Sequence, residues 1–285
     1  MTGATERVGV VGCGLMGAGI TETCARAGLE VMVVETNAAA VAAGRRRLET
    51  SLAKAESRGK IASAADVLDR ITIVEGVDAL ADRTLVIEAV MEDEAVKTAL
   101  FRRLDEVVTD TEAILASNTS SIPIIKLAVA TERPQNVLGV HFFNPVPVLS
   151  LVELVPSNLT ADATTERARS FVQDTLGKYA IDCKDRAGFV VNALLIPFLL
   201  SAIRMVEQGV ATAKDIDEGL VRGCAHPQGP LALSDLIGLD TVRAIADSLY
   251  DEFKEPQYAC PPMLARMVDA GLLGRKSGRG FFDYT

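Results

Sequence analysis

The stretch "GVVGCGLMGAGITETCARAG", residues 9–28, sets Gly12, Gly14 and Gly17 in the order G-x-G-x-x-G between a β-branched run and a helical pattern. Each glycine in that spacing has a separate job. The first permits a tight turn, the second lets backbone approach a pyrophosphate, and the third lets a helix pack closely, with the helix N-terminus attracting the phosphate charge. Leu15 and Met16 fall inside the motif and are counted with it as cofactor-binding positions. The next run, "EVMVVE" (30–35), ends in Glu35, twenty-one residues after Gly14. A carboxylate there accepts hydrogen bonds from a ribose diol and repels a 2′-phosphate, so NAD is favoured over NADP.

Short apolar runs recur through the first two thirds of the chain, alternating with longer helical patterns: 7–11, 30–35, 85–90, 113–117, 137–141 and 151–155. Nearly continuous apolar character suits parallel strands covered on both faces. Beyond residue 187 helices follow one another, with "TAKD" (212–215) as a capping box and Gly209 as a helix stop. The expected architecture is α/β, a Rossmann-type doubly wound sheet domain over 1–186 followed by a smaller all-α domain over 187–285.

Composition excludes several classes. With 29 basic and 38 acidic residues the net charge is -9, which disfavours nonspecific nucleic-acid binding because phosphate neutralisation needs a basic surface. The longest apolar stretch, 189–200, contains Asn192 and Pro197 and falls short of the ~20 residues a membrane helix needs. No secretory signal pattern opens the chain, so a cytoplasmic protein is expected. The five cysteines (13, 24, 183, 224 and 260) are scattered without metal-ligand spacing and read as small apolar fillers, and no metal is expected.

Only two histidines occur. His141 follows an apolar run, and Glu153 lies twelve positions later inside another. As an isolated pair these could be a satisfied core histidine and an edge charge. His226 sits in a Pro/Gly loop without an acidic partner nearby and reads as structural. "IEAVMEDEAVK" puts Glu92 at a helix start, where acids oppose the helix dipole, with Lys97 one turn on. In "LASNTSSIP", Ser120 or Ser121 can cap the following helix, which leaves Ser117 free. The helix around Asn192 is apolar on nearly every side, and an unpaired amide within it would cost on the order of 1–3 kcal/mol, so Asn192 needs partners. The excess apolar surface of that helix suggests a homodimer. Residues 44–60 carry six basic side chains against Glu49 and Glu56, either a solvated helix face or a phosphate-holding hairpin.

The motifs "GCGLMGAGI", "IEAVMED", "ASNTSS", "GVHFFNPVPVLSLVE", "DRAGFVVNALL", "HPQGPLALSDLIGLD" and "GRKSGRGFFDY", in this order, run through nearly the whole chain. In them the sequence resembles the 3-hydroxyacyl-CoA dehydrogenase family, in particular its stand-alone 3-hydroxybutyryl-CoA dehydrogenases. The resemblance implies an NAD-dependent enzyme that oxidises the 3-hydroxyl of an acyl-CoA or runs the reverse reduction, a step of fatty acid metabolism. It implies His141 as general acid/base and Glu153 as its orienting carboxylate. It further implies that Ser117, Asn144 and Asn192 bind substrate, histidine or nicotinamide, that Glu92, Lys97 and Lys276 contact the cofactor, and that Ser51 and Arg58 hold the CoA nucleotide. Arg58 stands where relatives often carry lysine.

The chemistry asks for the same residue types. Hydride loss from a carbinol carbon requires removal of the hydroxyl proton by a base titrating near neutral pH, and histidine, ordinarily at about 6.5, is the natural choice. A carboxylate on its other ring nitrogen fixes the tautomer. Two alternatives stay open: the same fold acting on a free hydroxy acid or carnitine-like substrate, and a non-catalytic NAD-binding protein.

Overall fold

The computed structural model describes residues 6–284, in two compact units that divide between Asp185 and Arg186. The first is built on strands β1 (Val8–Val11), β2 (Val31–Glu35), β3 (Ile71–Glu75), β4 (Leu85–Glu88), β5 (Ile114–Ser117), β6 (Val137–Phe142), β7 (Leu151–Pro156) and β8 (Tyr179–Asp182). Its helices are α1 (Leu15–Arg26), α2 (Ala38–Ser57), α3 (Ala64–Leu68), α4 (Glu94–Val107), α5 (Ile124–Ala128) and α6 (Asp162–Ser170). The strands form one sheet in the order β3-β2-β1-β4-β5-β6-β7-β8. The chain reverses its direction of travel across the sheet at β1 and β4, the switch point where such sheets bind ligands. Every residue of β1, β4, β5 and β6 is buried, which is why these segments read as unbroken apolar runs.

Two strands have no counterpart among the six expected runs. Both lie at the edges of the sheet: in β3 only Ile71 is fully buried, and in β8 only Ala180. An edge strand half-faces water, so "ITIVE" and "YAID" carry polar residues and a weak apolar signal. The sheet also departs from all-parallel pairing. β6 and β7 run antiparallel, because the eight residues 143–150 between them are too few for a crossover helix.

The second unit consists of α7 (Val191–Glu207), α8 (Ala213–Cys224), α9 (Pro230–Ile237), α10 (Leu239–Phe253) and α11 (Pro262–Asp269). α7 passes through Pro197 without ending, and Gly209 follows it with φ +68°. Thr212 caps α8 by accepting from the Asp215 N–H at 3.1 Å. Ile196, Leu199, Leu200 and Ile203 on α7 join Leu231, Val242 and Leu249 in a fully buried core. The helix is not covered all round, since Leu194 is 73% exposed. Buried Asp235 accepts from the N–H groups of Phe281 and Phe282, both at 3.0 Å, which pins the C-terminal segment. No helix among the described residues is long and apolar enough to cross a membrane.

Candidate active site

The turn from β1 into α1 is shaped by its glycines. Gly12 has φ +88°, a left-handed conformation that side chains disfavour. A Cβ at Gly17 would stand 1.9 Å from the Gly12 carbonyl oxygen, so only glycine lets the helix start this close to the strand. At Gly14 a Cβ would meet nothing within 4 Å. That space lies open at the N-terminus of α1, beside exposed Leu15 and half-buried Met16.

Glu35, the last residue of β2, faces this turn. Its Oε1 accepts the Cys13 N–H at 2.6 Å and its Oε2 the Thr36 N–H at 3.3 Å. Arg47 of α2 donates to the Cys13 carbonyl at 2.6 Å. Burial, and then the negative charge of Glu35, push the Cys13 thiol up to about 11. An open helix N-terminus with a carboxylate on the neighbouring strand end fits the pyrophosphate and ribose of a dinucleotide.

The carboxyl ends of β4 and β5 are zipped together by two carboxylates and a lysine. Fully buried Glu88 accepts from Val90 N–H at 2.7 Å, Lys97 Nζ at 2.7 Å and Ser117 Oγ at 2.6 Å. Ser117 is therefore not left free: its proton is committed to Glu88, and its oxygen accepts the Thr119 N–H at 3.2 Å. Lys97 is 1% exposed and also pairs with Glu92 at 3.1 Å. Glu92 in turn accepts from Thr119 Oγ1 at 2.5 Å and from the Ser120 and Ser121 N–H groups at 3.0 and 3.2 Å. Asp93, rather than Glu92, caps α4, accepting the Val96 N–H at 2.9 Å.

One strand further on, His141 and Glu153 face each other as register partners of the antiparallel β6–β7 pair. His141 Nδ1 is 2.7 Å from Glu153 Oε2, with the residues 6% and 0% exposed. Phe143 packs edge-on against the imidazole, ring centroids 4.6 Å apart. Asn118 Oδ1 accepts the Phe142 N–H at 2.8 Å and so extends the β5–β6 ladder past the end of β5. Asn144 lies exposed on the connection to β7.

The remaining expected positions lie elsewhere. Ser51 donates to buried Glu22 of α1 at 2.6 Å, a link between α1 and α2, and exposed Arg58 ends α2. In the second unit Asn192 is buried in the first turn of α7, Lys276 pairs with Asp240 at 2.5 Å, and His226 packs on Phe198 with centroids 5.7 Å apart. Glu88 and Asn118 were not anticipated. Glu88 had a visible signal, a carboxylate closing the apolar run "LVIE". Asn118 had none, since its partner is a backbone N–H.

Comparison with known proteins identifies the family. Residues 7–186 match the family model of the 3-hydroxyacyl-CoA dehydrogenase NAD binding domain, and residues 188–284 match that of its C-terminal domain. The chain is 58% identical to a 3-hydroxybutyryl-CoA dehydrogenase of Mycobacterium tuberculosis over 100% of both chains. It is 43% identical to a probable 3-hydroxybutyryl-CoA dehydrogenase of Deinococcus radiodurans, covering 98% of this chain and 100% of that one. The crystal structure of M. tuberculosis FadB2 superposes with a TM-score of 0.98 at 58% identity, covering 99% of this chain and 100% of that one. The (S)-3-hydroxybutyryl-CoA dehydrogenase PaaH1 of Ralstonia eutropha superposes with a TM-score of 0.92 at 43% identity, again covering 99% of this chain and 100% of that one. The chain belongs to the 3-hydroxyacyl-CoA dehydrogenase family and is an NAD-dependent oxidoreductase.

Proposed function

We propose that the protein oxidises the hydroxyl of a short-chain (S)-3-hydroxyacyl-CoA, such as 3-hydroxybutyryl-CoA, to the 3-oxoacyl-CoA, or runs the reverse reduction, within fatty acid metabolism. The observation that carries this reading is the 2.7 Å contact between His141 Nδ1 and Glu153 Oε2. With Nδ1–H donated to the carboxylate, Nε2 keeps a lone pair that accepts the substrate hydroxyl proton, and the buried carboxylate stabilises the imidazolium so formed. Bound beside the glycine turn and Glu35, NAD would supply the acceptor for the hydride leaving C3. In reduction the imidazolium returns its proton to the carbonyl oxygen.

Around that step Asn144 orients histidine or nicotinamide, and Asn192 orients the substrate. Ser117, its own proton committed to Glu88, offers only a lone pair to the ligand. Glu92, Lys97 and Lys276 border the cofactor, and Ser51 and Arg58 hold the CoA nucleotide. We further propose a cytoplasmic homodimer joined through the C-terminal helices, a reading supported by the exposure of Leu194 on α7.

The test is reduction of acetoacetyl-CoA followed by NADH consumption, with free 3-oxo acids and carnitine-type substrates assayed in parallel. His141→Gln is expected to lower kcat by roughly 10²–10⁴-fold while NADH still binds. Undiminished turnover in that variant removes the proposed base. Activity confined to free acids defeats the CoA assignment, and NADH binding without turnover on any substrate favours a non-catalytic protein.

A further inference from the structure

The connection from β6 to β7 carries Asn144 between the two members of the acid/base pair, yet its own hydrogen bonding is sparse. Within it, only the Val148 and Leu149 N–H groups bond back, both to the Pro145 carbonyl at 3.0 Å. The rest of its anchoring comes from outside. Lys178, the residue before β8, sends its ammonium to the carbonyls of Val146 and Leu149, each at 2.7 Å. Its neighbour Tyr179 donates a backbone N–H to Ser150 at 2.8 Å. On the other side Val146 is 2% exposed and lies so close to α1 that a Cβ at Gly19 would stand 2.9 Å from its own Cβ.

A lysine is an unusual choice for this task. Burial of the ammonium, and then the charge of Arg26, hold its pKa below the ordinary lysine range, so an apolar side chain would sit there at lower electrostatic cost. What an apolar side chain cannot do is span two carbonyls from different residues, which an ammonium with three donors does. These two carbonyls fix the connection at both ends of its middle segment, immediately after the residue pair Asn144-Pro145.

We infer that Lys178 is a positioning residue for the reaction: its ammonium fixes the β6–β7 connection and through it the side chain of Asn144. The inference rests on the role proposed above for Asn144. It differs from a purely structural staple in one respect. A staple contributes to stability alone, whereas a positioning residue acts on turnover through Asn144 and loses its effect on turnover when Asn144 is removed. Lys178 also lines an open cavity of about 450 Å³ together with Thr23, Arg26, Pro147 and Val148. Methionine matches the length of the lysine stem and can rest in that cavity, so the Lys178→Met protein is expected to fold.

A double-mutant cycle on the full-length enzyme tests this: wild type, Lys178→Met, Asn144→Ala and the double variant, with kcat and KM for acetoacetyl-CoA, NADH affinity and Tm measured for each. Lys178→Met is expected to lower kcat about tenfold with NADH affinity unchanged, and to change kcat less than about twofold in the Asn144→Ala background. Lys178→Gln, which still reaches one carbonyl, takes its place in the cycle if the Met variant does not fold, with the same pattern at smaller amplitude. Full kcat in the Lys178 variant beside a slow Asn144→Ala enzyme overturns the inference alone, as does a loss that multiplies in full onto that of Asn144→Ala. An Asn144→Ala enzyme with wild-type kcat overturns the role of Asn144 and the inference with it.

Discussion

His141 and Glu153 are joined by strand register: they are direct partners across the β6–β7 pair, and the ring nitrogen and carboxylate oxygen come to 2.7 Å. Opposite residues in an antiparallel pair have Cβ atoms about 5 Å apart, the right span for an imidazole and a carboxylate to meet side by side. Glu153→Gln keeps shape and burial but can donate its amide N–H to Nδ1, which favours the tautomer whose Nε2 carries the proton. The expected result is a kcat lowered by roughly 10²-fold or more, with Tm nearly unchanged. Steady-state kinetics beside a thermal melt decide it, and full activity would sink the orienting role.

Gly14 separates folding from cofactor binding. Its φ is -65°, ordinary for any residue, and a Cβ there meets no atom within 4 Å. Gly14→Ala is therefore expected to leave the unfolding free energy within about 0.5 kcal/mol of wild type. The added methyl occupies the space where backbone approaches the pyrophosphate, so NADH affinity is expected to fall at least roughly tenfold. Gly17→Ala, facing a 1.9 Å clash with the Gly12 carbonyl, is expected to lose stability as well. Calorimetric binding and urea unfolding on the two variants distinguish the cases.

The buried Lys97 holds two carboxylates in place, and its removal makes a prediction with a sign in pH. Burial alone would raise the Glu92 carboxyl, but the charge of Lys97 and hydrogen bonds from Thr119, Lys97 and Ser120 together leave it below the ordinary value of 4.5. A depressed acid contributes stability at neutral pH that is lost as pH falls below about 4.5 and through the folded value. Lys97→Met leaves Glu88 buried without its counter-ion and is expected to cost roughly 3–5 kcal/mol at pH 7. Glu92's share of the deficit should shrink as pH falls through that window, where the wild type loses the same contribution. Urea midpoints at pH 7 and below pH 4.5 measure it, and a deficit independent of pH contradicts the pairing.

Glu35 and Arg47 both touch the backbone of Cys13, one at its N–H and the other at its carbonyl, each at 2.6 Å. The carboxylate disfavours a 2′-phosphate and the guanidinium welcomes one. NADH is expected to outperform NADPH in the wild type, and Glu35→Ala should narrow that preference by roughly tenfold, or ~1.4 kcal/mol. Comparing kcat/KM for the two cofactors in both proteins is sufficient.

Much of this layout is legible in the sequence because it rests on local patterns. The glycine turn, Glu35 at the end of its strand, and the capping box at Thr212 each follow from neighbours within one strand or one helical turn. The doubly covered strands announce themselves by unbroken apolar runs. Edge strands β3 and β8 do not, because water tolerates their polar residues. The bond that keeps Ser117 from being free is not legible for a different reason: its partner, Glu88, is 29 positions away, and which polar groups meet across adjacent strand ends is decided by sheet order rather than by spacing. Lys178 lies 32 positions from Val146 and is invisible for the same reason.

The hairpin formed by β6 and β7 keeps the imidazole and its carboxylate apart, along the chain, from the glycine turn. Its connector spans residues 143–150, short enough that ring closure costs little chain entropy. His141 and Glu153 are thus encoded in one contiguous ribbon of about twenty residues. The glycine turn instead depends on β1 pairing with β2 and β4, the latter from more than seventy residues away. Damage to the β3 edge should therefore cost the enzyme its grip on the nucleotide long before it disturbs the imidazole and its carboxylate.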